Sequence, residues 1–151
     1  MSTIRILGAG AWGTALALLW CREPGDGPES SGIELLARTP DEAALLRSTR
    51  INTRRLPGVP LPPSIEISSA VEPRGELRAD DTYVVTIPST ELDPATARAI
   101  VRAAGDAPVV IASKGLSLSG ARPSELLVAA GADPARTTIR SEEHTSELQS
   151  H

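Results

Sequence analysis

Gly8-Ala9-Gly10-Ala11-Trp12-Gly13 spells G-x-G-x-x-G between a β-branched run, Thr3 to Leu7, and the apolar stretch TALALLWC. A strand before and a helix after are the context in which this spacing cradles a dinucleotide. Gly8 allows the tight turn, Gly10 lets the backbone approach a pyrophosphate, and Gly13 lets the helix pack closely on the strand. Amides at the helix start, near Ala11 and Trp12, then meet the phosphates at the favourable end of the helix dipole. The same string also fits a glycine-rich turn that binds nothing, and Trp12 also fits a plain packing residue.

Three further positions belong to the same chemistry. A NAD-preferring domain places Asp or Glu at the end of its second strand to hold the ribose 2′-hydroxyl. Here that strand ends Leu35-Leu36-Ala37-Arg38, and Glu34 stands too near its beginning. The Arg38 guanidinium suits a 2′-phosphate, which points to NADP(H) ahead of NAD(H); a solvated surface arginine is the other reading. Lys114, the sole lysine, follows a buried run in Ala112-Ser-Lys-Gly115. A compact cation there can hold a phosphate or a developing alkoxide, or simply sit in solvent. Pro88-Ser89 stands in the equivalent place after the preceding strand, where backbone would border a nicotinamide ring or merely end the strand.

The elements that must position these residues alternate. Strands are expected at Thr3–Leu7, Ile33–Ala37, Ile65–Ile67, Asp81–Ile87, Val109–Ala112 and Thr137–Ile139. Helical patterns are expected over TALALLWC, Asp41–Arg50, Pro94–Gly105 and Pro123–Ala130. Glu23 to Gly32 reads as a loop, and the four prolines of Leu56–Pro63 exclude helix and central strand. Strands separated by helices of about ten residues imply parallel βαβ units and a doubly wound α/β sheet.

Composition removes other function classes. The chain has 151 residues, 40% apolar and 23% charged, enough for one domain with a core. Its net charge is −4, with no basic run, and its aromatics are Trp12, Trp20 and Tyr83. Nucleic-acid binding therefore has neither an electrostatic footprint nor a stacking surface. No apolar run reaches the ~20 residues of a membrane helix, and MSTIRILGAG lacks the features of a signal peptide. Cys21, the single cysteine, excludes an internal disulfide or a zinc site, and a reducing cytoplasm fits. Both histidines, His144 and His151, lie in the last eight residues, so no metal site is expected in the main body.

The end of the chain, Arg140 to His151, differs in texture. RSEEHTSELQS resembles the in-frame translation of a common sequencing adapter, so residues 140–151 are expected to be a non-native tail. A polar helical end capped by Ser141 is the other reading.

Four segments in order, GAGAWGTALA (8–17), NTRRLPGVPLP (52–62), VVTIPS (84–89) and ASKG (112–115), resemble the amino-terminal half of the bacterial-type glycerol-3-phosphate dehydrogenase [NAD(P)+] family. The resemblance covers residues 3–139. It implies a Rossmann-type domain followed by an all-helical substrate domain that is missing here, in a homodimeric parent. It also implies interconversion of dihydroxyacetone phosphate and sn-glycerol 3-phosphate for glycerophospholipid synthesis. Carried over by position, Gly8, Gly10, Ala11, Trp12 and Gly13 line the pyrophosphate, and Arg38 sits by the adenine ribose phosphate. Lys114 resembles the family lysine that contacts cofactor and substrate. Family members often carry Ser where Ala11 stands, so a hydroxyl contact is lost while the amide remains. The family's Ser-Gly-Pro turn and its second lysine, the proton donor, do not occur in this chain. Glu91 and Asp93 are substitutes by reach only, so no catalytic residue is assigned and the chain alone is expected to be inactive. A ketopantoate reductase-like enzyme and a non-catalytic nucleotide-sensing domain are the competing readings; the LPGVPLP loop and ASKG speak against the former.

Overall fold

The computed structural model describes residues 2–21 and 32–139. The loop expected at Glu23 to Gly32 falls outside them except for Gly32, and so does the tail from Arg140. Six strands, β1 (Thr3–Leu7), β2 (Gly32–Ala37), β3 (Ile65–Ser69), β4 (Thr82–Val85), β5 (Val109–Ile111) and β6 (Thr137–Ile139), form one sheet in the order 3-2-1-4-5-6. Every pairing is parallel. This is the dinucleotide-binding order, with its switch point between β1 and β4.

Four helices cover the sheet: α1 (Ala11–Trp20), α2 (Pro40–Thr49), α3 (Pro94–Ala104) and α4 (Pro123–Ala129). Strand alternation divides the core between the two faces. Ile6, Leu35 and Val84 pack with Leu16, Ala17, Ala43 and Leu46 from α1 and α2. Leu36, Tyr83, Val85 and Ile111 pack with Ala97, Ile100 and Leu127 from α3 and α4. Each fully buried aliphatic side chain contributes about 1.5–3 kcal/mol, so these two layers hold the fold together.

Helix boundaries follow from local chemistry. Thr39 caps α2 by accepting from the Glu42 amide, with Pro40 in the first turn, and Asp93 caps α3 by accepting from the Thr96 amide, with Pro94 following. α2 stops one residue before the expected Arg50, which turns left-handed at φ 54. The expected strand over 81–87 shortens to Thr82–Val85: the Asp81 side chain binds backbone amides, and Thr86 onward bends into the loop that Pro88 continues. The proline-rich segment makes one antiparallel bridge, Ile51 with Pro60.

At the amino-terminal edge of the sheet lies a set of buried charges. Arg5 Nε is 2.5 Å from Glu34 Oε2, and both side chains are almost fully buried. Arg5 also donates to the carbonyls of Arg74 and Gly75, while Glu34 accepts from the Arg74 amide. Asp81 accepts from the amides of Thr3 and Arg78 at 2.7 Å each. Burial pushes the Asp81 carboxyl up, but these two amides and the charges of Arg78 and Arg5 outweigh it and hold it below its usual value. Together these contacts tie residues 74–81 to the strand starts.

Replacing Glu34→Gln leaves the buried Arg5 guanidinium uncompensated, and urea unfolding is expected to show a loss of about 3 kcal/mol. Burial raises the hydroxyl of Tyr83, the only tyrosine, to about 12, with the Arg5 charge opposing and Glu34 adding to the rise. Because the folded pKa is raised, this stability is complete below pH ~10 and is lost as pH rises toward 12. Tyrosinate absorbance is therefore expected to appear with unfolding in that window rather than as a simple titration at pH 10.

Candidate functional site

The carboxyl ends of β1, β2 and β4 open into a cleft of about 610 Å³. Its lining joins the glycine turn (Gly8, Gly10, Ala11, Trp12) to Arg38 after β2 and to Thr86 and Pro88 after β4. Asn52, Arg54 and Arg55 complete it from the segment after α2. The position is the crevice outside the carboxyl ends at the switch point, where open α/β sheets bind ligands.

The turn exists because Gly8 and Gly13 permit close approach. Gly8 has φ +115, in the left-handed region, and a Cβ on it would lie 2.6 Å from Thr86 Oγ1. A Cβ on Gly13 would lie 1.9 Å from the Gly8 carbonyl oxygen, which no rotamer change can relieve. Gly13 is buried and outside the cleft lining, so its contribution is to dock α1 on β1. Around Gly10 the space is open, with nothing within 4 Å of a Cβ there.

The start of α1 lacks the side-chain caps found on α2 and α3. Side chains of Thr39 and Asp93 accept from the first turns of α2 and α3, and Glu125 of α4 reaches back to the Arg122 amide. Gly10 at the start of α1 offers no side chain, and no acidic residue stands in its first turn. The first amides of a helix have no carbonyl partner within it and carry the positive end of its dipole. Here they meet the cleft, an arrangement suited to an anion.

The remaining residues are placed as follows. Trp12 is 45% exposed and donates its indole N–H to the Ala112 carbonyl at 3.1 Å, tying α1 to the end of β5. Arg38 is exposed at the cleft mouth, its Nη2 3.5 Å from Glu91 Oε1. A surface pair of this kind contributes about 0–1 kcal/mol, so it yields readily to a stronger anion. Lys114 is exposed in the loop after β5, beside the cleft lining rather than in it, and its carbonyl accepts from the Ser89 hydroxyl. Ser113, buried, donates to the Ile87 carbonyl, so the loops carrying Pro88 and Lys114 are clipped together. Cys21 borders the core, with Sγ 3.0 Å from Ser64 Oγ.

Glu42 and Glu91 line the cleft, and Asp93 stands just outside it. Asp93 is committed to the cap of α3: hydrogen bonds from the Thr96 amide, then from its hydroxyl, hold its carboxyl below the usual range. Glu91 faces Arg38. Asn52, Arg54, Arg55 and Thr86 carry no site signal of type or spacing of their own; they stand inside the segments NTRRLPGVPLP and VVTIPS, which carry only the family resemblance. Changing Gly13→Ala is expected to cost more than 3 kcal/mol of stability, because the added methyl must displace backbone. Circular dichroism in urea checks this, with Gly10→Ala expected to fold normally.

The family described as NAD-dependent glycerol-3-phosphate dehydrogenase N-terminus matches residues 3–139. The chain is 36% identical over 142 residues to a glycerol-3-phosphate dehydrogenase [NAD(P)+] of Mycobacterium leprae, covering 93% of this chain and 39% of that protein. A namesake from Deinococcus radiodurans is 36% identical, with coverages of 87% and 37%. The chain thus spans about two fifths of the length of these curated relatives. Among solved structures, glycerol-3-phosphate dehydrogenase of Coxiella burnetii superposes with TM-score 0.68 at 21% identity, over 91% of this chain and 39% of that one. The Plasmodium falciparum enzyme gives 0.65 at 21% identity, over 85% and 38%. These two likenesses concern the fold. With the glycine turn, strand order and cleft in place, the match over 3–139 shows that the chain belongs to the family of NAD-dependent glycerol-3-phosphate dehydrogenase amino-terminal domains.

Proposed function

We propose that residues 1–139 are the coenzyme-binding unit of an oxidoreductase that interconverts dihydroxyacetone phosphate and sn-glycerol 3-phosphate, serving glycerophospholipid synthesis. The observation that carries this reading is the uncapped start of α1, opening into the cleft between β1 and β4. When bound, a reduced nicotinamide supplies the hydride.

The chain's own residues divide the binding task. Gly8 and Gly10 bring the backbone to the coenzyme, and the amides near Ala11 and Trp12 hold its diphosphate, with Gly13 setting the approach of the helix. Pro88 borders the nicotinamide. Arg38 pairs with a ribose 2′-phosphate in place of Glu91, which favours NADP(H) while leaving NAD(H) usable. The Lys114 ammonium holds the substrate and stabilises negative charge on its oxygen. Lys114 is the only lysine and Asp93 is committed to the cap of α3, so this chain is proposed to bind coenzyme without turning over substrate. Residues 140–151 are proposed to be the adapter-like tail. Family resemblance also supports a homodimeric parent in the cytoplasm. Among the described residues, no helix is long and apolar enough to cross a membrane.

Calorimetry of the 151-residue chain is the test. NADPH is expected to bind more tightly than NADH, and Arg38→Asp to weaken NADPH about tenfold or more, the loss of a charged hydrogen bond of roughly 1.5–3 kcal/mol, while sparing NADH. Heat from neither coenzyme would overturn the reading, and an unchanged preference would remove Arg38 from it.

A further inference from the structure

An anion settles on backbone amides only where the neighbouring carbonyl dipoles point elsewhere, because a carbonyl oxygen facing a phosphate repels it. From Leu7 to Gly10 every carbonyl of the turn has a donor. Leu7 O accepts from the Thr86 amide at 2.9 Å and from Thr86 Oγ1 at 2.8 Å, and Gly8 O lies 3.1 Å from the same hydroxyl. Gly10 O accepts from the Thr14 amide at 3.0 Å, within α1. Ala9 O is different: its donor is Asn52 Nδ2 at 2.8 Å, from a residue 43 positions further along.

Asn52 is 7% exposed and lines the cleft. Its amide nitrogen also donates to Thr14 Oγ1 at 3.0 Å, so the two protons are divided between the turn and the first helix. Its own carbonyl accepts from the amides of Arg55, at 3.2 Å, and Leu56, at 2.8 Å. That second turn brings Thr53, Arg54 and Arg55 to the cleft wall. One buried amide side chain therefore links the glycine turn to the arginine-bearing segment, and among the described residues no backbone amide donates to Ala9 O.

We propose that Asn52 is a positioning residue for the coenzyme: its side-chain N–H holds the Ala9 carbonyl away from the diphosphate and so keeps the amides at the start of α1 facing the cleft. The inference rests on the coenzyme-binding reading above, although its effect on the turn is measurable in the free chain. An aspartate at this position has the same shape and can still accept from the Thr14 hydroxyl, but it cannot donate to a carbonyl. Alanine removes both bonds without adding bulk or charge.

The test compares the 151-residue chain with Asn52→Ala and Asn52→Asp. Three measurements are made on each: calorimetric titration with NADPH and with inorganic pyrophosphate, urea unfolding, and amide hydrogen exchange of the free chain. Asn52→Ala is expected to raise the Kd for both probes about tenfold and to speed exchange of the amides of residues 9–13 relative to the rest of the sheet. Asn52→Asp is expected to be at least as weak a binder as Asn52→Ala. Recovery of wild-type affinity in Asn52→Asp would show that shape and the Thr14 contact suffice, and would overturn the proposal. So would unchanged Kd values in both variants. If the unsubstituted chain takes up neither probe, the coenzyme reading fails. Exchange then decides the positioning role: acceleration confined to residues 9–13 in Asn52→Ala supports it, and unchanged or uniformly faster exchange overturns it. If the alanine variant does not fold, exchange of residues 9–13 in the free aspartate variant decides: acceleration confined to them supports the positioning role, and unchanged or uniformly faster exchange overturns it.

Discussion

The Gly8 carbonyl oxygen sits 1.9 Å from where a Cβ on Gly13 would be, and the cleft depends on that closeness. It lets the first turn of α1 rest directly on the end of β1, so the helix axis and its uncapped amides point across the switch point. Any side chain at Gly13 would lift α1 off the sheet and swing those amides away. Thr86, just past the end of the neighbouring β4, reinforces the approach by donating one hydroxyl toward the carbonyls of Leu7 and Gly8. Backbone proximity, rather than any one reactive side chain, is what the site is made from.

The sheet separates stability from chemistry along its strands. At the amino-terminal ends, Arg5, Glu34 and Asp81 neutralise one another or bind backbone, and they hold residues 74–81 in place. At the carboxyl-terminal ends the polar groups of the turn are amides without a helical partner, and the rim carries Arg38, Arg54, Arg55, Glu42 and Glu91. Buried charges are expensive to leave unpaired, so the first set is fully engaged. Exposed charges at a cleft mouth are cheap to rearrange, and the Arg38–Glu91 pair can exchange partners at little cost.

The family match and the geometry address different halves of the function. A parallel sheet in the order 3-2-1-4-5-6 with a glycine turn at its centre has the form of a dinucleotide-binding sheet. It does not by itself supply a proton donor, and the only lysine, Lys114, stands beside the cleft on the loop that Ser89 and Ser113 clip to the end of β4. Coenzyme binding and proton transfer are thus separable properties, and the proposed function assigns only the former to the residues described.

Much of the architecture was legible in the residues alone. Alternating apolar runs and helical patterns gave six strands and four helices close to their observed places, because hydrophobic period and Pro or Gly punctuation are local signals. The glycine motif announced its turn, since a 1.9 Å approach admits only hydrogen at Gly13. Arg38, Pro88 and Lys114 could be placed after strands by the same local logic. What only the tertiary structure decided were the partners distant in sequence: Arg5 with Glu34, Trp12 with Ala112, Asn52 with Ala9. Strand ends shortened for the same reason, as Asp81 found amides to bind. Hydrogen bonds between groups dozens of residues apart depend on which strands become neighbours, and no periodicity in the chain encodes which donor will meet which carbonyl.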